Sequence, residues 1–290
     1  MTSALSVMVP DANLLHSRLR LLNQHSRIRS QRPDPFFLHR RVSTELAERM
    51  HWSGSISKRA LDVAIAGAGS VGAVAYAPDS ADVIHSDLCP SPERSPGTPP
   101  AGHLKMMAAP NALPLVDGSI DRLTANLVLH WYDPQDFFNT AHRVLAPGGI
   151  FGFSTLGPDT LVELRQAFAS VNLHPHVHDF FDMHDLGDTL LAAGFVEPVL
   201  DVERIVLTYS DLSDLVQDLR ALGATNTHPE RSRGLLGQAA RQRLVEAYEV
   251  FRGSDQRLPV TVEVIYGLAF AGKQAVSLLR REDGLSVNVE

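Results

Sequence analysis

The sequence predicts an α/β fold: a doubly wound sheet covered by helices on both faces, with a helical insertion before its last strand. Three observations predict it. From Leu113 to Phe168 a strand-like run, an amphipathic helix, a second strand and a second helix follow one another through short links. From Arg59 to Gly72 an apolar run opens into a turn with regularly spaced glycines. From Val202 to Ala269 two strand-like runs are separated by two helical patterns. Alternation of this kind, with links too short for a hairpin meander, builds crossover units in a mostly parallel sheet.

Composition sets the outer bounds. The chain has 290 residues, of which 44% are hydrophobic and 20% charged, enough for one large domain or two small ones. A formal charge of −7 argues against a nucleic-acid partner, which calls for a basic face. Cys89 is the only cysteine, so neither a disulfide framework nor a thiolate metal cluster is expected. No apolar run is long enough to span a bilayer, and the expectation is a cytoplasmic protein with no membrane partner. The chain divides into an N-terminal helical segment (1–56), a core sheet (57–209), a helical insertion (210–257), a last core strand (258–272) and a loose tail (273–290).

Taken in order, residues 1–32 hold five arginines and one acid, Asp11, with leucines at helical spacing. Two readings stay open, an amphipathic targeting segment and an ordinary N-terminal helix. Phe36, Leu38, Val42, Leu46 and Met50 mark a helix leading into the domain. Arg59–Ile65 reads as the first strand, and Gly67, Gly69 and Gly72 follow in a GxGxxG pattern. Asp87 lies twenty residues after Gly67, beyond the strand Asp82–His85. That is the arrangement of a dinucleotide site, although the pattern alone is weak. A helix over Ser70–Ala77 would end at Pro78, and five prolines between Cys89 and His103 predict a loose surface loop.

The next stretch is the most explicit. Asp117-Gly118-Ser119 turns the chain into the apolar run Ile120–Leu129. Asp133 is placed to cap a helix whose first position is Pro134, and Asp136 suits the positive end of its dipole. Phe137, Ala141, Val144 and Leu145 fall on one face; Pro147-Gly148-Gly149 stops the helix before a strand over Ile150–Thr155. Pro158 starts another helix through Leu161, Leu164 and Phe168. His174, His176, His178, Asp179, Asp182, His184 and Asp185 form a dense set of metal-ligand types, yet Pro175 breaks the regular frame a metal would need. No metal is expected, and Asp185 is read as the cap of a helix that runs to Ala192 and stops at Gly194. A strand over Val202–Tyr209, a helix capped by Asp211 or Ser213, a polar loop, a helix over Leu235–Phe251 and a strand over Val260–Ala269 complete the pattern.

Several of these stretches carry a family resemblance. Leu113-Pro114-Leu115, Asp117-Gly118-Ser119-Ile120-Asp121, Asn126-Leu127-Val128-Leu129-His130-Trp131 and Arg143-Val144-Leu145-Ala146-Pro147-Gly148-Gly149 resemble the second half of a class I S-adenosylmethionine-dependent methyltransferase. Ser154-Thr155-Leu156-Gly157-Pro158-Asp159-Thr160-Leu161, Met183-His184-Asp185-Leu186-Gly187-Asp188, Leu219-Arg220-Ala221-Leu222-Gly223-Ala224 and Glu263-Val264-Ile265-Tyr266-Gly267 are similar to the malonyl-acyl-carrier-protein O-methyltransferases of biotin synthesis. The likeness spans roughly Asp34 to Gly272 and is more specific in the second half.

The resemblance implies a Rossmann-like sheet with an antiparallel last strand, S-adenosylmethionine as cofactor, and an acyl-carrier protein bearing a malonyl thioester as partner. It implies cofactor contacts from Asp62, Ala64, Ala66, Gly67, Gly69, Asp87, Leu88, Ala109, Asn111 and Asn126. Ala64, Ala66 and Ala68 stand where three glycines are usual, so the backbone meets the cofactor through added methyl groups. His130 and Trp131 would line the transfer channel, and Arg220 with Arg231 would hold a substrate anion. The helices of the insertion would act as a lid, and the N-terminal helix would cover the cleft. Catalytic acid–base residues are not expected, because a malonyl carboxylate is already ionised at neutral pH. Two other readings remain: an altered or inactive relative, similar to the complex I assembly factor that hydroxylates an arginine, and an NAD-dependent enzyme using Gly67, Gly69, Gly72 and Asp87.

Overall fold

The computed structural model describes residues 36–51, 58–64, 82–87, 103–221, 224, 226, 228, 230–232 and 234–272. The expected helix over Ser70–Ala77, the glycine turn, nearly all of the proline-rich loop, the segment 1–32 and the tail lie outside them. In chain order the elements are α1 (Phe37–His51), β1 (Arg59–Ala64), β2 (Asp82–Asp87), β3 (His103–Met106), β4 (Ile120–Asn126), α2 (Pro134–Val144), β5 (Leu145–Leu156), α3 (Val162–Ala169), α4 (Met183–Ala192), β6 (Phe195–Tyr209), α5 (Leu212–Ala221), α6 (Gln238–Glu249) and β7 (Leu258–Ala271).

The strands form one sheet in the order β3-β2-β1-β4-β5-β7-β6. Strands β1 to β5 pair in parallel, and β7 runs antiparallel to both β5 and β6. The antiparallel last strand is therefore where it was expected. The chain builds outward from β1 to β3, then returns to β4 on the other side of β1. That reversal leaves a crevice at the carboxyl ends of β1 and β4, the place where open α/β sheets bind ligands.

The two faces are covered by different helices, because successive strand residues point to opposite sides. Ile150 packs with Leu38, Val42, Leu46 and Met50 of α1. Phe151 and Phe153 pack with Phe137 and Phe138 of α2 and Leu186 and Leu190 of α4. Two glycines admit these contacts. A Cβ on Gly152 would lie 2.3 Å from Met50 Sδ, and one on Gly267 would lie 2.2 Å from the Phe153 ring. Polar contacts also hold α1: Arg49 sits 4.0 Å over the Tyr266 ring and pairs with Asp201 at 2.8 Å.

Local capping accounts for three helix starts. Asp133 caps α2, its carboxylate accepting from the Gln135 and Asp136 amides. Asp211 caps α5 by accepting from the Ser213 and Asp214 amides. Helix α4 corrects the sequence reading: Asp182, not Asp185, is the cap, because its carboxylate accepts from the His184 amide. Strand β4 also ends earlier than its apolar run. Leu127 adopts φ +51, turning the chain into a short 3-10 turn over Leu129–Trp131.

Candidate functional site

The crevice is framed first by strand register. Ala64 is level with Asp87, and Asp62 is level with both His85 on β2 and Thr124 on β4. Asp62 is only 3% exposed. Thr124 Oγ1 donates to Asp62 Oδ1 at 2.9 Å, and His85 Nδ1 lies 3.4 Å from Asp62 Oδ2. A buried carboxylate needs such partners to offset the loss of water. Asp62 thus sits beneath the crevice and ties β1 to its two neighbours, whereas Ala64 and Asp87 stand at its rim.

Beyond Ala64 the expected contacts Ala66, Gly67 and Gly69 lie outside the described residues, as does Leu88 beyond Asp87. Ala109 and Asn111 follow β3 along the same carboxyl edge. The Ala109 carbonyl accepts from the Ala112 amide at 2.9 Å, and the Asn111 carbonyl accepts from Thr140 Oγ1 at 3.0 Å, which leaves the exposed Asn111 side chain outward from that bond. Asn126 ends β4 at the crevice, but its amide is engaged otherwise. Its Oδ1 accepts from Ser154 Oγ at 2.8 Å and its Nδ2 donates to the His39 carbonyl at 2.8 Å. Asn126 therefore fixes the start of α1 over the end of β4.

The rim fits the implied cofactor in the part that is described. An acid at the end of β2, level with the last residue of β1, is the register at which a carboxylate would accept hydrogen bonds from ribose hydroxyls.

The other wall comes from the 3-10 turn and from chain far away in sequence. The His130 and Trp131 rings lie 4.5 Å apart. Phe180 stands 6.1 Å from His130, and His178 stands 6.5 Å from Trp131. His228 lies 6.0 Å beyond His178 and is only 8% exposed. Its Nδ1 accepts from the Glu230 amide at 3.1 Å, so the ring carries its proton on Nε2. Asn226 ties this loop down by donating to the Pro175 carbonyl at 2.8 Å. Arg231 is exposed, with Nη1 3.4 Å from the His228 carbonyl, and Arg220 is exposed at the end of α5. The structure thus brings His130, Trp131 and the Arg231 loop to one wall and leaves Arg220 on the surface.

Sequence reasoning missed His178, Phe180 and His228 as wall residues. The histidine-rich run was visible, but it was weighed as a set of metal-ligand types and set aside. Among the described residues no group of three metal-ligand types is arranged to hold one. His176 instead stacks on Phe168 with ring centroids 3.6 Å apart, and burial beside His174 lowers its pKa.

A buttress joins this wall to the sheet. The turn Gly157-Pro158-Asp159-Thr160-Leu161 is pinned to β7. The Gly157 amide donates to the Glu263 carbonyl at 2.9 Å, the Asp159 amide to Glu263 Oε2 at 2.8 Å, and the Leu161 amide to the Thr261 carbonyl at 2.8 Å. A Cβ on Gly157 would lie 2.5 Å from Glu263 Oε2. Leu161 takes the left-handed φ of +58 that starts α3. Buried Glu163 then accepts from the Thr261 amide at 2.9 Å and from its hydroxyl at 2.5 Å. Arg204 pairs with Asp159, and Arg165 donates to the carbonyls of Pro158 and His178. Helices α3, α5 and α6 close over this turn through Leu164, Leu215, Leu244 and Tyr248. Two motifs that lie a hundred residues apart are one contact.

Comparison with known proteins agrees with this architecture. Residues 61–153 match the family described as "Methyltransferase domain". The YcgJ protein of Bacillus subtilis superposes with a TM-score of 0.53 at 16% identity, covering 79% of this chain and 99% of that one, which speaks for the fold alone. Malonyl-[acyl-carrier protein] O-methyltransferase of Laribacter hongkongensis is 41% identical over 245 residues, 80% of this chain and 82% of the relative. The enzymes of the same name from Gallionella capsiferriformans and Coxiella burnetii are 50% and 46% identical over 58% and 59% of this chain, which spans 58% and 60% of their lengths. The chain belongs to the malonyl-[acyl-carrier protein] O-methyltransferase family and is an S-adenosylmethionine-dependent methyltransferase with a Rossmann-like sheet.

Proposed function

We propose that the protein methylates the free carboxylate of a malonyl thioester carried on an acyl-carrier protein, in the cytoplasm, so that the methyl ester can prime synthesis of biotin's pimeloyl chain. The observation that carries this reading is the 41% identity across 80% of the chain. The described geometry supports it. Ala64 and Asp87, with Ala66, Gly67, Gly69 and Leu88 next to them in sequence and Ala109 and Asn111 along the edge, would hold the cofactor; Asp62 and Asn126 would position that rim.

The chemistry asks little acid–base work of the chain. S-adenosylmethionine, when bound, supplies a methyl group on a sulfonium centre, and no proton moves in the transfer. The malonyl carboxylate is ionised at neutral pH, so no side chain needs to deprotonate it. The work left to His130, Trp131, His178 and His228 is to align the carboxylate and to keep water out. His228 Nε2–H is a donor for one carboxylate oxygen, which leaves the other free to face the methyl group.

The test is direct. Purified protein, labelled S-adenosylmethionine and malonyl-loaded carrier protein should yield carrier-bound malonyl methyl ester, detected by mass spectrometry, and the gene should restore growth without biotin to a strain lacking this methyltransferase. Intact malonyl carrier after prolonged incubation, together with no rescue, would refute the proposal.

A further inference from the structure

The lid is locally basic. Residues 220–243 hold Arg220, Arg231, Arg233, Arg241 and Arg243 against one acid, Glu230, in a chain whose formal charge is −7. Several arginines elsewhere have carboxylate partners: Arg41 with Glu203, Arg49 with Asp201, Arg143 with Asp117, and Arg252 with Glu249. Arg241 and Arg243, on the first turns of α6, are exposed and pair with no carboxylate among the described residues. Between Arg231 and Arg241 the chain exposes Leu235 entirely, at 101%, and Leu236 at 39%. Unpaired like charges around exposed apolar side chains cost stability and gain it back only when an acidic surface covers them.

We propose that the segment Glu230–Arg243, in which the exposed Arg231, Arg241 and Arg243 flank the exposed Leu235 and Leu236 in sequence, is the docking surface for an acidic face of the acyl-carrier protein. This rests on the proposed function for its partner. Its position suits delivery of a thioester arm: Arg231 is three residues past His228, whose ring leads through His178 to Trp131 at the crevice. The patch steers and holds the carrier, while the wall behind it receives the arm.

The experiment measures binding of malonyl-loaded carrier protein to the full chain by biolayer interferometry, at low salt and at about 0.3 M salt. The proposal expects R241E/R243E to weaken binding at least about tenfold, salt to weaken wild-type binding by a similar factor, and L235S to weaken it severalfold with little salt dependence. Equal affinities for wild type and R241E/R243E, or no carrier binding by wild type, would overturn it. So would a dimer of this chain that is lost in R241E/R243E while carrier affinity stays the same. Methylation of malonyl-coenzyme A, which has no protein surface to dock, reports separately on the activity. It should be the same in wild type and R241E/R243E, which also shows that the variant is folded.

Discussion

The two halves of the sheet are built differently. Strands β1, β2 and β3 have six, six and four residues, while β5, β6 and β7 have twelve, fifteen and fourteen. The first half places polar groups at its centre, with Asp62, His85 and Thr124 level across three strands. The second half is aromatic, with Phe137, Phe138, Phe151, Phe153 and Phe195 in mutual contact. The difference teaches a division of labour. Strands β5 to β7 and their helices carry the stability, and the short strands hold a rim for a ligand whose own contacts complete it.

The largest effect should come from the aromatic half. Gly267→Val sets a side chain against the Phe153 ring in the centre of the sheet, and overpacking of that kind costs about 3 kcal/mol, read as a lowered urea midpoint. Asp87→Ala should do the reverse. It is expected to weaken S-adenosylmethionine binding by about 10- to 100-fold, roughly what charged hydrogen bonds contribute, while Tm moves little. A large Tm loss in Asp87→Ala would break the comparison.

The buttress should fall between these. Glu163→Gln exchanges a buried carboxylate that accepts two bonds from Thr261 for an amide with one acceptor, at about 1 kcal/mol of stability. An accompanying rise in KM for the carrier substrate, at unchanged cofactor affinity, would show that the turn positions the lid.

The smallest effect is the pH response of His176. Burial against Phe168 lowers its pKa in the folded chain below the ordinary value near 6.5, so the unfolded chain takes up the proton first. Its contribution is complete above the unfolded pKa and is lost as pH falls from there through the folded value. His176→Gln should flatten that slope in urea titrations below neutral pH, and an unchanged slope would assign it elsewhere.

Much of the second half was legible because its signals are local. The Asp133-Pro134 start of α2, the stripe of α1 and the two lid helices each depend on neighbours a few residues away. What was not legible depended on distance or on backbone choices that composition does not fix. The apolar run through Leu129 reads as one strand, yet Leu127 takes a left-handed turn, its amide held by the Ser154 carbonyl and hydroxyl at 3.0 Å each. Strand β6 begins at Phe195, before the alternation of Val202–Tyr209 becomes regular, because a register shift between Val196 and Val199 disturbs it. The wall of the site was the least legible part. His178 and His228 are fifty residues apart in the chain and meet only in the folded structure, so their shared place was hidden. The bond from the Asn126 amide to the His39 carbonyl, which fastens α1, joins residues far apart in the chain and was not legible either.

The most direct measurement is a calorimetric titration of the purified protein with S-adenosylmethionine, with NAD run in parallel. The account predicts saturable binding in the micromolar range for S-adenosylmethionine and none for NAD, since the rim at Ala64 and Asp87 belongs to a methyltransferase sheet. No binding of S-adenosylmethionine up to about millimolar, some 4 kcal/mol weaker than that, would contradict it and leave a methyltransferase fold used for another purpose.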